Sequence, residues 1–174
     1  MKKKVGIFFG PTGGKTENIA KKVQQAFGPN MADLIPVKDS KASDLDRYDN
    51  IVLGCSTIGK ETWNAERTKD DWDLFRPEID KINYEGKSFA LFGLGDSVTY
   101  AATFVDAMGV LAKIMLTNDA KIVGQVPTSK YNFTDSEAVI DNQFVGLPID
   151  EDFEKDKTDK RISEWVEELK KKFV

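Results

Sequence analysis

The sequence predicts an α/β protein in which a parallel sheet is sandwiched between two layers of helices, doubly wound. Three observations carry that expectation. Apolar runs without polar alternation (VGIFF, NIVLGC and KSFALFGLG) recur along the chain and read as strands covered on both faces. Amphipathic patterns with three- and four-residue spacing separate them. The first run opens directly into a glycine-rich turn, GPTGGKTE, ahead of a helix, and such sheets bind ligands beyond the carboxyl ends of their strands.

Each element follows from its own pattern. VGIFF (5–9) is the first buried strand. TENIAKKVQQAFG then places Ile19, Val23 and Phe27 on one helical face, with Gly28-Pro29 as a stop. ADLIPV (32–37) is a weaker strand whose Pro36 suggests a sheet edge. NIVLGC (50–55) is buried. After a long polar loop, Trp72, Phe75, Ile79 and Ile82 mark a helix that Pro77 threatens to interrupt. KSFALFGLG (87–95) is a third buried strand, and FVDAMGVLAKIM carries Phe104, Met108, Leu111 and Met115 on one stripe. KIVGQV (121–126) and FVGLPI (144–149) are strand candidates separated by a polar stretch dotted with aromatics. The last helix turns Ile162, Trp165, Val166, Leu169 and Phe173 inward. Strand-helix alternation of this kind implies right-handed crossovers.

The 174 residues suffice for one domain, 1–174, and hardly for two. No apolar run is long enough to span a bilayer, and MKKKVGIFFGP lacks the length and cleavage site of a secretory signal, so the expected location is cytoplasmic. A single cysteine, Cys55, excludes an internal disulfide and a cysteine-rich metal site, and at the end of a buried strand it reads as core. The chain has no histidine, which removes Ser-His-Asp and Cys-His catalysis and the usual zinc sites. A net charge of −4 argues against nucleic acid as a partner.

Three loops follow strands and are the ones to inspect: 10–16, 55–69 and 93–103. In the first, Gly10, Gly13 and Gly14 let the backbone turn and present amides at a helix N-terminus, while Thr12 and Thr16 add hydroxyls; together these favour a phosphate. A nucleotide-hydrolysing G-x-x-x-x-G-K-[ST] loop ending at Gly14-Lys15-Thr16 would need glycine at position 9, which is Phe9. The dinucleotide spacing G-x-G-x-x-G also fails. In the second loop Ser56 and Thr57 offer donors, and Ile58 and Trp63 offer apolar surface. In the third, Leu94, Gly95 and Asp96 lead to Tyr100. A flat aromatic ligand could lie between these two loops.

Read in order, the blocks VGIFFGPTGGKTENIA, LGCST, TWN…DDWDLF, ALFGLGD…Y, KIVGQVPT..YNF, QFVGLPIDED and KTDKRISEWVEELK resemble the flavodoxins over nearly the whole chain. The insertion 127–143 resembles that of the long-chain kind. The resemblance implies a five-stranded sheet in the order 2-1-3-4-5 with its last strand interrupted, and non-covalent FMN as cofactor. It places the phosphate in Pro11, Thr12, Gly13, Gly14, Lys15 and Thr16. The ring would lie among Ser56, Thr57, Leu94, Gly95, Asp96 and Thr103, with Tyr100 on its outer face and either Ile58 or Trp63 on the inner. The implied function is low-potential one-electron transfer between neutral semiquinone and hydroquinone. The implied partners are a ferredoxin/flavodoxin reductase type donor and a low-potential acceptor, and the chain is expected to be a monomer.

The sequence departs from the family at several points. Pro11 and Gly13 replace hydroxyl-bearing residues of the usual phosphate loop. At roughly 0.5–1.5 kcal/mol per lost neutral hydrogen bond, weaker FMN binding is expected. Ser97, Thr99 and Thr103 also stand where other residues are frequent. Gly59 lies where family members flip a peptide toward the flavin, and glycine makes that turn easy. A carboxylate such as Asp96 at about 4 Å would oppose an anionic ring by about 4 kcal/mol at an effective dielectric of about 20, which lowers the second potential. Two other classes stay open to the residues alone: an FMN-dependent quinone or nitro reductase, which needs room over the ring, and a flavin-free interaction module of the same fold.

Overall fold

In the computed structural model residues 4–57 and 70–174 are described. The sheet is built from β1 (Val5–Phe9), β2 (Ala32–Pro36), β3 (Asn50–Ser56), β4 (Ser88–Leu94) and β5 (Lys121–Ile122), in the order β2-β1-β3-β4-β5. Every pairing is parallel, with Val5 opposite Ala32 and Asn50, and Asn50 opposite Ser88. All five residues of β1 and all seven of β4 are buried, which explains their lack of alternation. β2, which is only partly covered, is the sheet edge that Pro36 predicts.

Helices α1 (Lys15–Phe27), α2 (Asp71–Ile79), α3 (Asp106–Thr117) and α4 (Thr158–Lys172) complete the layers. α1 packs against α4, and α3 lies on β3 and β4. The inward stripes are those of the sequence: Ile19, Val23 and Phe27 on α1; Trp72, Phe75 and Ile79 on α2; Ile162, Trp165, Val166 and Leu169 on α4. Pro77 sits inside α2 without ending it. The ring removes one amide, whose partner would have been the Asp73 carbonyl. At the other end a reciprocal capping box secures the first turn, in which the Asp73 amide donates to Asp70 Oδ1 (2.8 Å) and the Asp70 amide to Asp73 Oδ2 (3.2 Å). Ile82 lies beyond α2, half-buried Phe173 follows the end of α4, and Phe104 precedes α3, whose first residue is Asp106.

The last strand is divided. β5 pairs with β4 at Ser88 and Phe89, and β9 (Leu147–Ile149) pairs with the same strand at Phe92, Gly93 and Leu94. Between them, residues 123–146 leave the sheet, a wider excursion than the 127–143 read from sequence. KIVGQV and FVGLPI are therefore each split. Val126–Pro127 (β6), Val139–Ile140 (β7) and Gln143–Phe144 (β8) form a separate antiparallel sheet in the order β6-β8-β7. An aromatic cluster holds this excursion: Phe104, Tyr131, Phe133 and Phe144 lie with ring centroids 5.0–6.0 Å apart. Gly109 lets the insertion backbone rest on α3, because a Cβ there would collide with the Glu137 carbonyl.

Candidate functional site

Backbone rungs continue past the strand ends and bring the loops together. The Gly10 amide donates to the Gly54 carbonyl (3.1 Å), Thr57 to Leu94 (2.9 Å) and Gly95 to Ile149 (3.0 Å). The loops after β1, β3, β4 and β9 thus begin side by side, where strand order reverses between β1 and β3. They enclose a cleft of about 320 Å³. Nine sequence-predicted residues line it: Pro11, Lys15, Thr16, Ser56, Thr57, Leu94, Gly95, Asp96 and Tyr100. Glu151 and Asp152 line it as well and were not anticipated.

One end of the cleft is built for an anion. Thr12, Gly13 and Gly14 form the turn into α1 rather than the cleft wall. Gly13 has φ +80, a conformation that favours glycine, and no atom lies within 4 Å of where a Cβ would stand. Gly14 is the N-cap and offers no side-chain cap, so the first turn of α1 keeps uncapped amides at the positive end of the helix dipole. Thr16 is buried at the mouth of the helix. Lys15 Nζ lies 2.6 Å from Asp152 Oδ1, and this hydrogen bond raises the lysine pKa despite a small opposing desolvation. The lysine is therefore cationic at neutral pH.

The other end is aromatic and held by turns. Asp96 Oδ1 accepts from the Val98 (3.0 Å) and Thr99 (2.7 Å) amides, and the Tyr100 amide donates to the Asp96 carbonyl (3.1 Å). The carboxylate of Asp96 is thus engaged in its own loop while the residue still lines the cleft. Half-buried Tyr100 leads into a short 3₁₀ turn, Ala101–Thr103. Thr103 is set back from the cleft, with its amide donating to the Tyr100 carbonyl (3.1 Å). The Thr57 hydroxyl accepts from the Ala107 amide (3.1 Å) and so caps α3. Ile58, Gly59 and Trp63 lie outside the described residues.

Sequence reading missed the residue that ties these parts together. Asp150, fully buried after β9, accepts four hydrogen bonds. Ser97 gives its amide (3.1 Å) and hydroxyl (2.5 Å) to Oδ2, and the Asp152 (3.0 Å) and Phe153 (2.9 Å) amides bind Oδ1. Burial alone would raise the carboxyl pKa; the Ser97 hydroxyl and the three amides outweigh it and hold it below the ordinary value. Ser97 and Asp150 are 53 positions apart, and no local pattern announces the pair. Cys55 is core, as its position suggests: it is buried against the Phe92 carbonyl, and burial pushes its thiol up to about 12.

A helix N-terminus bearing Lys15 at one end and a tyrosine on a hydrogen-bonded turn at the other fit a ligand with an anionic tail and a flat aromatic body. The known proteins agree with that form. The flavodoxin family profile matches residues 7–165. The chain belongs to the flavodoxin family. It is 42% identical to a flavodoxin of Synechococcus elongatus over 171 residues, covering 98% of each chain. It is 41% identical to flavodoxin 1 of Escherichia coli K12 over 165 residues, covering 94% of this chain and 91% of that one. In three dimensions it resembles a mutant Fusobacterium nucleatum flavodoxin bound to flavin mononucleotide, with a TM-score of 0.88 at 25% identity, over 99% of this chain and 98% of that chain. The flavodoxin match runs from within β1 into α4 and so embraces every loop of the cleft. Among the described residues no helix is long and apolar enough to cross a membrane.

Proposed function

We propose that this flavodoxin-family chain is a one-electron carrier that holds FMN non-covalently in the cleft at the carboxyl ends of β1, β3 and β4. One observation carries the reading: a single cleft has an uncapped, lysine-bearing helix N-terminus at one end and Tyr100 on a hydrogen-bonded turn at the other. When bound, the flavin supplies the electron chemistry, and the chain tunes it.

The amides of 12–16 and the Thr16 hydroxyl receive the phosphate, with Lys15 adding a charge. Gly95 and Asp96 offer backbone groups to the polar edge of the ring, and Tyr100 offers an aromatic face. Ser56 and Thr57 bound the ring from β3. Tyr100 over the ring leaves no place for a second substrate, which supports carrier over reductase.

The long-chain reading is supported by the division of the last strand and the small sheet inserted between its halves. We further propose a single domain over 1–174, a monomer, a cytoplasmic location, and partners of the ferredoxin/flavodoxin reductase and low-potential acceptor kinds. Contacts at the cleft rim would be small, transient and salt-sensitive.

The test is a titration of flavin-stripped protein with FMN, followed by spectroelectrochemistry at neutral pH. The reading predicts one FMN per chain, two separated one-electron steps and no steady NAD(P)H oxidation by the protein alone. Coincident electron steps with sustained NAD(P)H turnover would overturn it.

A further inference from the structure

We propose that Asp150 is a positioning residue for the cofactor, acting through Ser97 to fix the loop that receives the flavin ring; this rests on the FMN reading above. Three features point to it. Asp150 has no solvent exposure and Ser97 only 6%, so their bond is part of the interior rather than a surface contact. A buried carboxylate is tolerated when its lone pairs are satisfied, and here four donors do so. The two oxygens serve two different segments. Oδ2 takes both donors of Ser97, the residue directly after Asp96, while Oδ1 takes the amides of Asp152 and Phe153.

The consequence is a rigid corner. Asp96 and Tyr100, which line the ring end of the cleft, are joined through one carboxylate to the turn carrying Asp152, which lines the phosphate end beside Lys15. The preceding rung, Gly95 amide to Ile149 carbonyl at 3.0 Å, fixes the near end of the loop, and its far end is tied at Ala101, whose carbonyl accepts from the Thr134 (2.8 Å) and Asp135 (3.0 Å) amides. The Asp150–Ser97 pair secures the stretch between these two ties, where Asp96 lies. Asparagine at 150 keeps the shape, but its NH₂ group must face either the Asp152 and Phe153 amides, losing two bonds, or Ser97, where the hydroxyl can turn to accept and the amide bond is lost. A loop no longer held in the binding shape must be ordered by the ligand, at the expense of affinity.

The test compares FMN with riboflavin, which lacks the phosphate, by fluorescence titration of the flavin-stripped chain. For Asp150→Asn the dissociation constants of both flavins should rise by about tenfold or more, the scale of one broken charge-assisted bond, with their ratio unchanged. Ser97→Ala should raise both by a smaller common factor and should have little further effect in the Asp150→Asn background. Ser97→Thr, which keeps the hydroxyl, should restore wild-type values. The separation of the two one-electron potentials should change in Asp150→Asn and in Ser97→Ala and stay at the wild-type value in Ser97→Thr. If Asp150→Asn does not fold, Ser97→Ala and Ser97→Thr carry the test. Unchanged affinity for both flavins, or a loss confined to FMN, would overturn the inference while leaving the function intact. Failure of the wild-type chain to bind either flavin would overturn the function and the inference with it.

Discussion

Replacing Asp152 by asparagine should tighten FMN binding at low ionic strength. Lys15 Nζ and Asp152 Oδ1 lie 2.6 Å apart, yet the two side chains are 60% and 44% exposed, so their attraction is that of a solvated pair. Such pairs contribute about 0.2–1 kcal/mol. A phosphate monoester carries about −1.5 to −2 charges at neutral pH and competes with Asp152 for the same ammonium. Removing the carboxylate frees the lysine and deletes a like charge from the phosphate end of the cleft. The gain should be about two- to fivefold in affinity, because each 1.4 kcal/mol or so corresponds to a tenfold change. At about 1 M salt the screening length falls to about 3 Å and the gain should vanish. The assay is fluorescence titration of the flavin-stripped variant with FMN and with riboflavin at low and high salt. Riboflavin should be indifferent to the change. Weaker FMN binding at low salt, or an equal gain for riboflavin, would refute the reasoning.

Three further outcomes follow from named contacts. Thr57→Val removes the hydroxyl that accepts from the Ala107 amide and should lower unfolding free energy by about 0.5–2 kcal/mol in urea titrations, the usual cost of a lost helix cap. Cys55, buried with its thiol pushed up to about 12, should resist iodoacetamide at about pH 8 in the native protein and react once urea unfolds it, as read by mass spectrometry. Asp150, held below its ordinary 3.8, contributes stability that is complete above that value and lost as pH falls through the lowered one; Asp150→Asn should flatten the decline in unfolding free energy between about pH 5 and about pH 2.

Much of the fold is legible because burial on both faces writes itself into the strands. VGIFF and SFALFGL contain no outward-facing residue; the first is followed by the glycine-rich turn GPTGG and the second by Gly95-Asp96-Ser97. The α1 and α4 stripes are equally plain. The excursion between β5 and β9 is not, because its strands are two residues long and its stability comes from aromatic contacts between distant segments. Pro77 warned of a break that the Asp70–Asp73 box and three buried side chains prevent.

At the site, the residues that follow strands directly could be placed from sequence, since topology alone delivers them to one end of the sheet. The residues that brace them could not. Ser97 with Asp150, and Thr57 with Ala107, are side-chain contacts across 53 and 50 positions, and they have no periodicity to reveal them. The phosphate loop also gains a second reading. Gly13 replaces a hydroxyl residue, but its φ of +80 makes glycine the residue that this turn requires. The loss of hydroxyls is therefore best probed at Pro11, where threonine should strengthen FMN binding.

The central claim is that amides at the head of α1 hold the cofactor's phosphate while the loop after β4 holds its ring. Amide-resolved NMR of the isotopically labelled, flavin-stripped chain during FMN addition tests it most directly. Saturating shifts at one equivalent, concentrated in residues 12–16 and 95–100, are the predicted result. Shifts confined to other surfaces, or none at a large excess of FMN, would contradict it.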